Sequence, residues 1–96
     1  MSVLRITRFR IDPADTGEMI ARRATLIEAV RAGYPGLAEA RLSKVDNETW
    51  VDIWRWDSRA LADTALAAAP TLPEAAATFA ITRNTMAEFA EVVDER

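Results

Sequence analysis

The hydrophobic and polar positions change period several times along the chain. From Val3 to Ile11 the residues are β-branched, aromatic and arginine, with Leu4 and Ile6 on one parity and Val3, Phe9 and Ile11 on the other, as in a first strand. Asp12-Pro13 ends it. Asp15-Thr-Gly-Glu18 has the form of a capping box, and Met19, Ile20, Ile27, Val30 and Tyr34 follow as an apolar stripe at helical spacing. Arg22, Arg23, Glu28 and Arg31 are expected on the solvated side of that helix, which Gly33 and Pro35-Gly36 stop. Leu37–Val45 and Thr49–Trp56 read as two strands of a hairpin joined by Asp46-Asn47-Glu48. Asp57-Ser58 supplies an N-cap for an alanine-rich helix over Arg59–Ala69, interrupted at Pro70. A second capping box, Thr71-Leu-Pro-Glu74, opens a shorter helix through Phe79. Past a return at Arg83-Asn84, Met86–Val93 alternates as a fourth strand.

The predicted order is βαββαβ, a ferredoxin-like α+β domain: a four-stranded antiparallel sheet with two helices, the second one broken, over one face. The chain is expected to be a single domain, residues 1–96. Large apolar side chains fall on both parities of the strands, Trp50, Trp54 and Trp56 against Val51 and Ile53, and Met86, Ala90 and Val92 against Ala87, Phe89 and Val93. Helices on one face would leave one set in water, so a homodimer is predicted in which two sheets pack face to face as a dimeric α+β barrel.

Composition narrows the chemistry. The 96 residues include no Cys and no His, which removes disulfides, thiolate or imidazole metal ligands, a cysteine nucleophile and an imidazole base. The formal charge is −3 and the basic residues are scattered, against nucleic acid as a partner. Arg5, Arg8 and Arg10 interrupt the N-terminal apolar residues, and no stretch approaches the ~18 apolar residues of a membrane span. A cytoplasmic protein with no membrane contact is expected. The heavy use of Ala, and of Arg in place of Lys, fits a GC-rich bacterial genome.

Thr49–Trp56 is the segment richest in candidate chemistry. Period-2 geometry puts Trp50, Asp52, Trp54 and Trp56 on one face, with Asp52 between two indoles. Such a carboxylate either acts as a general base toward a phenolic or enolic proton, or sits near the dimer rim or pairs with an arginine such as Arg8, Arg41 or Arg55. Trp54 and Trp56 suit a planar aromatic ligand, or serve as core or interface. Phe79, Arg83 and Asn84 are candidates for the far wall, with Arg83 either stabilising an oxyanion or interacting with a helix dipole.

The strand order, the segment Thr7-Arg8-Phe9-Arg10-Ile11 before Asp12-Pro13, and Trp56-Asp57-Ser58 opening an Ala-rich helix together resemble the antibiotic biosynthesis monooxygenase (ABM) family of dimeric α+β barrels. Heme-degrading relatives carry an Asn where this chain has Thr7, a Trp at the position of Trp56, and a His on the second helix. No His exists here, so heme degradation by that scheme is not expected. The resemblance instead implies a cofactor-independent monooxygenase acting on a planar, polyhydroxylated aromatic of polyketide type. Asp52 and Arg83 would be its catalytic groups; Thr7, Trp54, Trp56, Phe79 and Asn84 would contact substrate, with no metal or cofactor. The alternatives are a non-catalytic small-molecule-binding or accessory dimer, and a cyclase or isomerase on the same fold.

Overall fold

A computed structural model describes residues 1–96. Four strands, β1 (Val3–Arg10), β2 (Leu37–Lys44), β3 (Thr49–Trp56) and β4 (Arg83–Glu91), form one antiparallel sheet in the order β2-β3-β1-β4. Three helices complete the chain: α1 (Thr16–Gly33), α2 (Arg59–Ala68) and α3 (Pro73–Phe79). The second crossover is broken as expected, because Pro70 leaves no amide to continue α2 and a single 3-10 turn, Ala69–Thr71, joins it to α3.

Helix entry departs from both predicted capping boxes. Asp12, not Asp15, caps the first crossover: its carboxylate accepts from the Ala14 amide at 3.0 Å and opens a 3-10 turn, Pro13–Asp15, ahead of α1. Asp15 makes no side-chain cap bond because it is the last residue of that turn. At α3 the N-cap is Leu72, while the Thr71 hydroxyl turns back to donate to the Ala68 carbonyl at 2.6 Å. Ser58 caps α2 as predicted, accepting from the Leu61 amide at 3.2 Å. At the hairpin Asp46 accepts from the amides of Glu48 and Thr49, at 2.9 and 2.8 Å. The Glu48 amide, helped by Thr49, holds the Asp46 carboxyl below the usual carboxylate range.

The fourth strand begins earlier than Met86. Arg83 already pairs with Arg10, and Asn84 adopts φ 52°, a left-handed conformation that Asn tolerates, where the β1–β4 register shifts. Arg83 and Asn84 therefore belong to the exposed start of β4 rather than to a return loop.

The tryptophan face of the sheet is the one the helices cover. Val3, Phe9, Trp50 and Trp56 are buried there, and the core divides into two clusters. The larger joins Val3, Trp56 and Leu37 to Leu26, Ile27 and Val30 of α1 and to Ala62, Ala65 and Ala75 of the second crossover. The smaller holds Phe9, Ile11, Met19 and Trp50. On α1 the buried stripe is Met19, Leu26, Ile27 and Val30, whereas Ile20, predicted inside, is 45% exposed. The opposite sheet face carries no helix: Leu4, Ile6, Val51 and Ile53 lie half-buried at its centre, and Met86 is 70% exposed.

Close approach of α2 to the start of β2 depends on Gly36. Its φ is 108°, and an added Cβ would stand 2.7 Å from Leu61 Cδ1. Its carbonyl also accepts from the Asp57 amide at 2.8 Å, which ties this turn to the end of β3. Gly36→Ala is expected to cost about 1–3 kcal/mol, through a strained backbone and a displaced Leu61. Urea denaturation measures it. A loss that Leu61→Ala fully restores would assign the whole effect to the steric contact rather than to the backbone.

Candidate functional site

Between the two core clusters a cavity of about 260 Å³ opens under the helices. Its floor is the sheet, with Arg5, Thr7 and Phe9 from β1, Asp52, Trp54 and Trp56 from β3, and Thr85 and Ala87 from β4. Its roof is Met19, Arg23, Leu26 and Val30 of α1 with small residues of the broken crossover, among them Ala65, Ala69 and Ala75. Alanine at these crossover positions leaves space that larger side chains would fill. Phe79, 54% exposed, stands at the edge with Thr82.

Five of the seven residues singled out from sequence thus converge: Thr7, Asp52, Trp54, Trp56 and Phe79 all line this cavity. Arg83 and Asn84 do not; the early start of β4 carries them past the cavity onto the exposed strand end, and Thr82 and Thr85 take the wall positions. The Trp54 and Trp56 rings lie 6.4 Å apart, tilted by 40°, an aromatic corner rather than a parallel slot. Trp56 is fully buried, and its Nε1 has no hydrogen-bond acceptor. The indole N–H is sealed from the cavity as well as from bulk water, so it is a buried donor left without an acceptor.

Asp52 is not a free carboxylate. Arg23 of α1 clasps it in a two-pronged pair, Nε to Oδ2 at 2.8 Å and Nη2 to Oδ1 at 2.9 Å, with side-chain exposures of only 14% and 12%. The partner is none of the strand arginines Arg8, Arg41 and Arg55. Those lie on the opposite sheet face, since they pair in register with Val51, Ile53 and Leu4, whereas Asp52 shares Trp54's parity. Arg23 itself is corrected from the solvated side of α1 to its buried side. It stands four residues after Met19 and three before Leu26, both on the core stripe. Arg22 remains nearer the surface, bonding Glu18 at 2.7 Å and the Ala77 carbonyl of α3 at 2.7 Å. Opposite Asp52 in the β1–β3 register lies Thr7, so Asp52 and a hydroxyl share the middle of the cavity floor, with Arg23 reaching the carboxylate from the roof.

No family model and no curated protein matches this sequence. Solved structures do. The chain is similar to SnoaB, a cofactor-independent oxygenase from Streptomyces nogalater, at 24% identity over 98% of this chain and 95% of that one, with a TM-score of 0.75. It is similar to Rv0793 from Mycobacterium tuberculosis at 22% identity, covering 99% and 98% of the two chains, with a TM-score of 0.70. A structure described as an antibiotic biosynthesis monooxygenase aligns at 19% identity, covering 96% and 99%, with a TM-score of 0.72. The strand order, the broken second crossover and these superpositions agree: the chain has the fold of the antibiotic biosynthesis monooxygenases.

Proposed function

We propose that this protein is a cofactor-independent monooxygenase for a compact, planar, polyhydroxylated aromatic. The observation that carries the reading is the Trp54–Trp56 corner in the wall of an apolar cavity that also holds the Asp52 carboxylate. The cavity lies just below the ~300–1,000 Å³ of ordinary ligand clefts, which favours a small fused-ring system. In an anthrone-type substrate the reacting methylene loses two hydrogens and gains one oxygen atom as a carbonyl. The second oxygen atom leaves with those hydrogens as water. All four electrons come from the substrate, so no external reductant enters the balance. The residues need only bind the ring, help form its anion and admit O₂. Asp52 is the sole carboxylate of the lining, and each of its oxygens has a lone pair beyond the one given to Arg23, so it is placed to receive the substrate proton. The Thr7 hydroxyl on the same floor can bond a ring oxygen.

An oxygen electrode tests the proposal. Purified protein is expected to consume one O₂ per hydroxylated anthrone, and Trp54→Ala to lower that rate by about 10-fold or more while the protein stays folded. Turnover that proceeds equally well without oxygen would identify a cyclase or isomerase. Saturable binding without turnover would identify a non-catalytic binding protein, a reading favoured by the engagement of both Asp52 oxygens with Arg23.

The working unit is proposed to be a homodimer. Leu4, Ile6, Val51 and Ile53 form an apolar centre on the helix-free sheet face, ringed by Arg8, Glu39, Arg41 and Glu88. A patch with both charge signs at its rim suits a two-fold contact with a second copy of itself. Ile53→Glu is expected to halve the mass seen by light scattering; an unchanged mass from both proteins would reject a dimer through this face.

A further inference from the structure

The cavity contains more positive charge than its own residues neutralise. Three charged side chains line it, Arg5, Arg23 and Asp52, and two of them cancel in the buried pair. Arg5 makes no ion pair and no hydrogen bond to any carboxylate, carbonyl or hydroxyl of the protein. Its guanidinium rests over the Phe89 ring, 4.7 Å from the centroid, while Arg59 covers the same ring at 3.7 Å and is engaged by Asp63. An aromatic ring attracts a cation but offers no oxygen acceptor, so the stacking orients Arg5 without using up its N–H fork. Arg5 is also the direct β1–β3 partner of Trp54, so the two positions are neighbours on the cavity floor, with the guanidinium on the β4 side of β1. The chain as a whole carries −3, so an anion is not drawn in by net charge. Recognition of one has to be local.

We infer that the ligand of this cavity carries a carboxylate on its aromatic frame and that Arg5 reads it, with the ring seated against Trp54. The inference rests on the proposed aromatic-binding role of the cavity and narrows its substrate class from planar phenols to aromatic acids. A half-buried guanidinium with no protein acceptor gains most from a planar, two-oxygen anion, which matches its fork.

A matched pair of probes tests it: anthraquinone-2-carboxylate and its neutral isostere anthraquinone-2-carboxamide, each titrated against tryptophan fluorescence. The wild-type protein is expected to bind the carboxylate about 10- to 100-fold more tightly than the carboxamide. Arg5→Gln is expected to abolish that preference by weakening the carboxylate far more than the carboxamide, with Arg5→Lys intermediate because it keeps charge but not the fork. Arg31→Gln, which removes an exposed charge at the far end of α1, is expected to change neither affinity. Equal wild-type affinities, or a preference that survives in both Arg5 variants, would overturn the role of Arg5 while leaving the aromatic cleft in place. Saturation by neither probe would overturn the cleft and, with it, the acid.

Discussion

Replacing Asp52 with alanine is expected to cost about 3–5 kcal/mol of folding stability, because it strands the Arg23 guanidinium in a site that is mostly closed to water. For a chain of this length that corresponds to a fall in Tm on the order of 15–30 °C. Arg23→Ala is expected to do comparable damage from the other side, by leaving an uncompensated carboxylate between Trp50 and Trp54. The asymmetry between breaking a buried pair and replacing it provides the decisive control. The double variant Arg23→Met, Asp52→Leu removes both charges at similar volume and is expected to fold with close to wild-type stability. Thermal denaturation at one fixed protein concentration, needed because self-association shifts Tm, checks all three. If the double variant is as unstable as the sum of the singles, charge is not what the pair contributes and the expectation fails. The same experiment bears on function. Asp52→Ala lowers activity by unfolding as well as by any chemical role, so Asp52→Asn, which keeps one acceptor oxygen for Arg23, is the variant in which loss of turnover reports on proton transfer.

This pair also shows where sequence reading succeeds and where it stops. Strict alternation along Thr49–Trp56 puts Asp52 on the tryptophan face, and the structure keeps it there, unbroken by a bulge within β3. Period and capping place every strand and helix within a few residues, because Pro13, Ser58, Pro70 and Gly36 each act on the backbone locally. Arg23 escapes for a different reason. Hydropathy assigns an arginine to solvent, yet a buried Asp in an aromatic row needs a cation, and Arg23 sits on the helical stripe defined by Met19, Leu26 and Val30. The requirement for charge balance was present in the chain; identifying the helix that supplies it takes the packing of α1 over β3. Ile20 is misplaced by the same one-position rotation of the stripe, and correcting it turns Arg23 inward. For Arg83 and Asn84 the obstacle is the left-handed conformation at Asn84. A single residue with positive φ and a register shift move the start of β4 by three residues and send both side chains away from the cavity.

Trp56→Ala carries the other large expected effect, a loss of about 3–5 kcal/mol. Trp56 is fully buried, pairs across the sheet with both Val3 and Leu37, and touches the small residues of the second crossover. The void cannot close easily, since the sheet is fixed by its ladders and the alanines above have no side chain long enough to reach down. It would merge with the existing cavity and enlarge it by the volume of an indole. Trp56→Phe is expected to lose less than half as much: most of the ring remains, and the variant discards an N–H that is buried without an acceptor. Urea denaturation of the two variants separates packing from hydrogen bonding, and added indole provides a second readout. Indole is expected to raise the Tm of Trp56→Ala by several degrees more than that of the wild type, because only the variant has a hollow of its shape. An equal rise in both would mean that the hollow has collapsed around the missing indole. Since the same side chain supplies one wall of the aromatic corner and a large part of the larger core cluster, the shape of the cavity and the stability of the fold draw on one residue. That sharing explains why the site lies on β3, where three strands hold the indole from both sides, and not on the mobile surface of a loop.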